Sequence, residues 1–132
     1  MAHAPDYIRQ AAAIPVKDGA VCLITSSNGK RWVVPKGLID PGHTAGETAL
    51  VESWEEAGLV GVLRPEPVGS YLYSKYGQTY HVTVFLMQVT ESRSEWPEKQ
   101  VRQRNWLSVP QALERIEDAG LREVVRGALA VG

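Results

Sequence analysis

Three glutamates with helical spacing are the residues of this sequence best suited to bind a metal ion. If residues 45–57 form a helix, Glu52, Glu55 and Glu56 fall within an arc of roughly 100° at about 100° per residue. No Lys or Arg stands three or four residues from any of them, so a bound cation would relieve their mutual repulsion. Carboxylate oxygens are ligands that Mg²⁺ and Mn²⁺ prefer. A metal site and a solvated acidic helix face are the two interpretations of this pattern.

A loop that contains two glycines and two prolines leads into the same helix. It spans residues 35–44 and includes Gly37, with Lys36 just before it. Backbone N–H groups in such a loop, and at the N-terminus of a helix, can approach a phosphate closely. Hard oxygen ligands beside a phosphate-binding loop therefore predict a site for a metal ion and a phosphorylated molecule.

The first half of the chain is predicted to supply strands on one side of this segment. Runs rich in Ala, Val, Ile and Leu, separated by tight turns, predict strands at residues 10–16, 20–25 and 31–34. Residues 35–44 are predicted to be a loop, and residues 45–57 a helix that ends at Gly58. The face of this helix opposite the three acids is expected to pack on the core, through Leu50, Ser53, Trp54 and Ala57.

The second half is predicted to add a hairpin, a short strand and two helices. The predicted strands are residues 67–74, 80–89 and 104–107, and a helix begins after Ser108 with a hydroxyl N-cap. The tail at residues 121–130 is predicted to be helical as well. Strands on both sides of one long helix, with helices at the end, indicate an α/β fold of the sandwich type.

Composition narrows the class of protein. The chain has 132 residues and a formal net charge of −1, which predicts a single domain over residues 1–132 and no basic field for a nucleic-acid duplex. No apolar stretch is long enough for a transmembrane helix, and the N-terminus lacks the pattern of a secretion signal. The single cysteine, Cys22, is expected to be a buried apolar residue in a reducing compartment. We therefore expect a cytoplasmic protein.

The spacing within residues 37–59 resembles the signature of the Nudix hydrolases. That signature is Gly, five residues, Glu, seven residues, Arg-Glu, an apolar residue, any residue, Glu-Glu, any residue, Gly and an apolar residue. The matching positions are Gly37, Glu52, Glu55, Glu56, Gly58 and Leu59. The resemblance implies an α/β/α sandwich with a central mixed β-sheet, and a pyrophosphohydrolase that uses Mg²⁺ or Mn²⁺. It makes Glu52 and Glu56 the principal metal ligands and catalytic residues, with Glu55 as a further ligand.

Three positions depart from that signature. His43 replaces its first Glu, Val51 replaces its Arg, and Ser53 replaces an apolar residue. In the family this Arg is thought to hold a catalytic carboxylate through an ion pair, so losing both partners leaves no unpaired charge but orients the ligands less firmly. A ligand-binding module without catalysis is therefore the alternative, and an acidic interaction surface without metal is a third. His43 either coordinates a metal or transfers a proton, or it is a solvated imidazole without a role in the site.

The flanks of the signature resemble the branch of the family that acts on diadenosine polyphosphates and diphosphoinositol polyphosphates. Substrate-binding residues are expected among the basic side chains and the loop glycine, namely Arg31, Lys36, Gly37, Arg102 and Arg104, with Lys75 as a helper. Glu98 is the candidate catalytic base, with a solvated loop acid as the alternative. The expected partner is an anionic phosphorylated small molecule, not a membrane or a nucleic-acid duplex, and a second copy of the chain is a candidate partner.

Overall fold

An eight-stranded mixed β-sheet forms the centre of the computed structural model, which describes residues 6–129. The strands are β1 Ile8–Lys17, β2 Ala20–Thr25, β3 Trp32–Val33, β4 Lys36–Leu38, β5 Leu59–Leu63, β6 Gly69–Lys75, β7 Gln78–Ser92 and β8 Arg104–Ser108. The helices are α1 Ala45–Ala57, α2 Val109–Arg115 and α3 Ala119–Ala128. The predicted strands and helices are all confirmed in type, except that the predicted last helix extends to Ala130, which lies outside the described residues.

Strand β1 organises the sheet. It runs parallel to β7, with Ile8 opposite Tyr80 and Val16 opposite Gln88, and antiparallel to β2 and β4. Strand β2 also pairs with β3 and β8, and β7 also pairs with β5 and β6. The parallel pair is possible because α1 and five strands, β2 to β6, lie between β1 and β7 in the chain. The expected mixed sheet is confirmed.

The sheet is covered by helices on both faces. Alternate residues of β1 point to opposite sides: Ala12 and Ile14 belong to the core shared with α2 and α3, whereas Ala11 and Ala13 belong to the core shared with α1. Cys22 is fully buried on the α1 side, and burial raises the pKa of its thiol to about 12. This arrangement confirms the α/β/α sandwich and the apolar role of the cysteine.

Two strands were missed by the sequence prediction. Strand β4 lies in the segment predicted to be a loop, where Gln10 pairs with Leu38 and Ala12 pairs with Lys36. Strand β5 follows α1 directly and pairs with the end of β7 through a bulge at Gly61. Both are short, and β4 is flanked by proline while β5 contains glycine, so local sequence gives a weak strand pattern. Pairing with the long strands β1 and β7 determines their conformation instead.

The packing face of α1 also differs from the prediction. Leu50 and Trp54 are 38% and 37% exposed, so they do not belong to the core as expected. The buried residues are Thr48, Ala49, Ser53, Glu56 and Ala57. Small side chains at Ala49, Ser53 and Ala57 let α1 lie close to the sheet, and the Ser53 hydroxyl donates to the Ala49 carbonyl at 2.7 Å. This rotation of the helix turns Glu56 inward, to the edge of the core.

The ends of α1 are fixed by local hydrogen bonds. Thr44 caps the N-terminus and forms a capping box with Glu47. Gly58 ends the helix in the left-handed conformation, with φ of 67°.

None of the helices within residues 6–129 is long and apolar enough to cross a membrane.

Candidate metal and phosphate site

Glu56 is the most enclosed acid of the site. It lies in the last turn of α1 and is 8% exposed, and its Oε1 accepts a 3.1 Å hydrogen bond from the backbone N–H of Lys36 in β4. Its Oε2 lies 3.3 Å from Nη2 of Arg102. Burial raises the pKa of Glu56 to about 7, against the opposing effects of Arg102 and the Lys36 amide. The unpredicted strand β4 therefore orients this carboxylate.

Arg102 connects three parts of the molecule. Its side chain is 10% exposed, with Nη2 against Glu56, Nε donating to Glu98 at 3.0 Å and Nη1 donating to the Thr25 carbonyl at 2.9 Å. Each of the three guanidinium nitrogens thus has one partner within the protein. The sequence placed Arg102 among the substrate-binding residues, and that role stays a prediction.

Glu52 lies one helical turn before Glu56. Its Oε2 is buried, and no group within residues 6–129 forms a hydrogen bond with it. Burial is the largest cause that raises the pKa of Glu52 to about 7, followed by the nearby charges of Glu55 and Glu98. A Cβ atom added to Gly37 would overlap the Glu52 carboxylate, so only glycine leaves room for it. Gly37 therefore allows the Glu52 carboxylate to lie against strand β4.

The loop at residues 96–101 docks on the C-terminal end of α1. The Glu98 N–H donates to the Glu55 carbonyl at 3.0 Å, and the Trp96 indole donates to the Glu56 carbonyl at 3.0 Å. These bonds satisfy carbonyls that a helix end leaves without partners. They bring Glu98 beside Arg102 and Glu56, as the sequence prediction of a base near the acids requires.

The donor set fits a hard divalent cation. The buried Glu52 oxygen has an unused lone pair, and Glu52, Glu55 and Glu56 offer only oxygen ligands. In the part of the chain that the structure describes, no three His, Cys, Asp or Glu residues converge as a ready-made metal cage. A cation held by these glutamates would therefore keep water ligands, as Mg²⁺ commonly does.

A cleft of about 310 Å³ opens next to Glu56 and carries most of the basic residues predicted to bind substrate. Its lining includes Arg31, Lys36, Lys75 and Arg102. Burial lowers the pKa of Lys36, and the other three cations lower it further, while Glu56 opposes them. Like charges gathered in one cleft repel one another, and a bound polyanion would relieve that repulsion.

Tyr71 and Tyr73 also line this cleft. Tyr73 stacks on Tyr80 with ring centroids 4.7 Å apart and donates a 2.6 Å hydrogen bond to Gln10. The Lys36 ammonium lies 5.2 Å from the centre of the Tyr73 ring. These contacts make Tyr73 a packing residue that also positions Lys36.

Arg104 lies apart from the other predicted cations. Its Nη1 donates to the Ala57 carbonyl at 2.8 Å, and its guanidinium lies 4.2 Å from the centre of the Trp96 ring. It therefore stabilises the end of α1 and the loop at residues 96–101. Its role in substrate binding stays a prediction.

A second groove is lined by residues of β4, of the loop that follows it and of α1. It has a volume of about 340 Å³, and His43, Val51, Glu52 and Glu55 are among its lining residues. His43 is exposed and Val51 is 52% exposed, so two of the three departures from the signature lie at the surface, whereas Ser53 is buried. The structure thus divides the glutamates, with Glu56 facing the basic cleft and Glu52 and Glu55 facing this groove.

Two residues of the site were missed by the sequence reasoning. Thr25 holds Arg102 through its carbonyl, and Trp96 binds the end of α1 through its indole. A backbone carbonyl leaves no signal in the sequence. The contact of Trp96 with α1 depends on the fold, because the two lie about 40 residues apart in the chain.

The comparisons with known proteins agree with this geometry. Residues 7–127 match the family model described as the NUDIX domain. The chain is 35% identical over 102 residues to Nudix hydrolase 12, mitochondrial, from Arabidopsis thaliana, which covers 71% of this chain and 50% of that protein. It is 29% identical over 104 residues to diphosphoinositol polyphosphate phosphohydrolase 3-beta from Bos taurus, covering 76% of this chain and 62% of that protein. The chain thus spans about half the length of the first of these relatives.

Solved structures share the fold. The crystal structure of a C. elegans Ap4A hydrolase superimposes with a TM-score of 0.78 at 18% identity and covers 95% of this chain and 98% of that chain. A NUDIX hydrolase from Nitrosomonas europaea gives the same TM-score and covers 90% of that chain. The family model over residues 7–127, together with the sandwich and the placement of its signature glutamates, shows that this chain belongs to the Nudix family.

Proposed function

We propose that this chain is a pyrophosphohydrolase that cleaves a phosphoanhydride bond in a polyphosphorylated small molecule with the aid of Mg²⁺ or Mn²⁺. Glu52, Glu55 and Glu56 would hold the metal. The relatives with the name Nudix hydrolase support the reaction class. The buried, unpaired oxygen of Glu52 supports the metal site.

The observation that carries the proposal is the double role of Lys36. Its backbone N–H binds the Glu56 carboxylate at 3.1 Å, while its side chain lines the basic cleft with Arg31 and Lys75. One residue therefore joins the acidic and the basic parts of the site. A phosphate chain bound to these cations would lie next to Glu56, one of the acids proposed to hold the metal, which is the arrangement that hydrolysis of an anhydride needs.

Each group has a proposed part in the reaction. A bound divalent cation would polarise the phosphoanhydride and lower the pKa of water. Lys36, Arg31 and Lys75 would bind and orient the phosphates. Glu98, whose side chain is 36% exposed beside Arg102, would accept a proton from the attacking water.

Polyphosphorylated substrates suit the cleft better than singly charged ones. Three cations not bonded to a carboxylate, Arg31, Lys36 and Lys75, line it within the described chain, in addition to Arg102. Two similar proteins are named for diphosphoinositol polyphosphate and Ap4A, which are compounds with phosphate chains. We propose substrates of this class for the present chain. A cytoplasmic location, independence from nucleic-acid duplexes and homodimer formation stay predictions.

Hydrolysis of a panel of substrates, followed by chromatography of the products, tests the proposal. The panel comprises diadenosine polyphosphates, diphosphoinositol polyphosphates, nucleoside diphosphate sugars and nucleoside triphosphates, each with Mg²⁺, Mn²⁺ or EDTA. We expect metal-dependent turnover of the first two classes, and its loss in Glu56→Gln. Glu114→Gln on the exposed side of α2 is the matched control, because it makes the same chemical change outside the site.

The opposite result has a defined meaning. If the folded protein turns over no member of the panel, the ligand-binding module is the better interpretation. Turnover that persists in Glu56→Gln would instead remove Glu56 from the catalytic residues.

A further inference from the structure

Helix α1 contains no basic residue, so any cation that pairs with its acids must come from another part of the chain. Arg102 supplies it for Glu56, across a sequence separation that only the fold brings together. The pair is enclosed, with side chains 10% and 11% exposed. Ion pairs that are shielded from water fix the geometry of their groups more firmly than surface pairs do.

The backbone around Arg102 is held firmly on strand β2. The Thr25 N–H donates to the Gln103 carbonyl at 3.0 Å, and the Gln103 N–H donates to Thr25 Oγ1 at 2.9 Å. The Arg102 side chain adds its own bond to the Thr25 carbonyl. The guanidinium is therefore a fixed point with one nitrogen directed at each of two acids.

We propose that Arg102 is a positioning residue that sets the orientation of the metal-binding Glu56 and of Glu98. This inference rests on the proposed function. The planar guanidinium directs Nη2 to Glu56 and Nε to Glu98 and fixes the separation between the two carboxylates. It therefore connects the proposed metal ligand to the proposed base.

Three of the five N–H donors of Arg102, one on each nitrogen, are directed at Glu98, Thr25 and Glu56, so contacts within the protein already set its orientation. By contrast, no salt bridge within residues 6–129 involves Lys36, Arg31 or Lys75. The described chain thus divides the cations of the cleft into one that pairs with acids and three that do not. This division makes different predictions for metal binding and for substrate binding.

Binding of Mn²⁺ alone tests the inference without any substrate. The dissociation constant is measured by electron paramagnetic resonance of free Mn²⁺ for the wild type, Arg102→Met and Arg102→Lys. We expect Arg102→Met to weaken Mn²⁺ binding by about tenfold or more, because residues that orient metal ligands typically contribute that much. Arg102→Lys keeps the charge but not the planar fork, and should recover part of the loss. Arg102→Lys also provides the test of the inference if Arg102→Met fails to fold.

Kinetics on a substrate from the panel give a second readout. Arg102→Met should lower kcat by about tenfold or more and leave KM within about twofold. Arg31→Met is the contrasting variant, because it should raise KM and leave the Mn²⁺ dissociation constant unchanged. Arg64→Met, on an exposed segment away from the site, controls for the loss of one positive charge.

The outcomes separate this inference from the proposed function. Unchanged or tighter Mn²⁺ binding by Arg102→Met, with a raised KM, overturns the inference and makes Arg102 a substrate ligand or a competitor of the metal. Wild-type protein that binds Mn²⁺ but turns over nothing overturns the proposed function alone, and the inference is then decided by the dissociation constants. A wild type that does not bind Mn²⁺ overturns both.

Discussion

The backbone of Gly37 lies directly against the carboxylate of Glu52, with no room for a side chain between them. Glycine is needed here for space and not for its conformation, because Gly37 is not among the glycines with positive φ. Strand β4 and helix α1 can therefore pack this closely only because residue 37 has no side chain. Several properties of the site can be tested from this contact and its neighbours.

Gly37→Ala is expected to damage the metal site without damaging the fold. The atoms that a methyl group would displace belong to the end of a flexible side chain, so the free energy of unfolding should change by less than about 1 kcal/mol. The displaced Glu52 should weaken Mn²⁺ binding by about tenfold. Urea unfolding and Mn²⁺ titration measure the two quantities.

Gly127→Ala is the control for this substitution, since a methyl group there meets nothing within 4 Å. It should leave Mn²⁺ binding unchanged. Wild-type metal affinity in Gly37→Ala would show that Glu52 is not a ligand or that its position is not fixed by this contact.

The metal-free protein is expected to lose stability as the pH rises through the range in which Glu52 ionises. The pKa of Glu52 is about 7 in the folded protein and 4.5 is its ordinary value, so the folded state binds more protons between these values. The free energy of unfolding contributed by this group therefore falls from about pH 4.5 to about pH 7 and is level above that. Glu52→Gln removes this contribution, so it should stabilise the protein more at pH 8 than at pH 5.

Urea unfolding in EDTA at the two pH values checks this, with Glu114→Gln as the exposed control. A stability difference between Glu52→Gln and wild type that is the same at both values would contradict the raised pKa.

Gly58→Ala is expected to destabilise the fold more than Gly42→Ala. Both residues have positive φ, of 67° and 86°, and a side chain in that conformation costs about 1–2 kcal/mol. At Gly58 the added methyl group would also lie 2.8 Å from the Trp96 ring, whereas at Gly42 nothing lies within 4 Å. The second variant therefore measures backbone strain alone.

The difference between the two unfolding free energies, measured in urea, should be about 1 kcal/mol or more and reports the contact with Trp96. Equal losses of unfolding free energy would mean that the loop at residues 96–101 shifts to accommodate the methyl group without a cost in stability.

His43→Glu and Val51→Arg are expected to act together. Both residues line the groove that contains Glu52 and Glu55, and each variant alone adds one charge without its intended partner. The double variant adds a carboxylate and a guanidinium of opposite charge to the same groove. Its gain in kcat/KM should therefore exceed the sum of the single effects on the free-energy scale. A kinetic double-mutant cycle measures the coupling. Additive or negligible effects would show that these two departures from the signature do not interact.

The sequence by itself determined the family, the fold class and the position of the acids on one helix. Helical spacing and the signature depend only on separations along the chain, so Glu52, Glu55, Glu56 and Gly58 were recognised without coordinates. Runs of apolar residues between turn sequences likewise identified the long strands, because both faces of a central strand are buried.

Only the tertiary structure decided where each of these acids lies and what it contacts. The rotation of α1 depends on the close packing of Ala49, Ser53 and Ala57 on the sheet, and this buries Glu56 while leaving Leu50 exposed. Strand β4 exists because β1 offers it hydrogen bonds, and Arg102 reaches Glu56 because β2 holds the neighbouring residue. These are contacts between residues far apart in the chain, and no local pattern of residue types records such contacts.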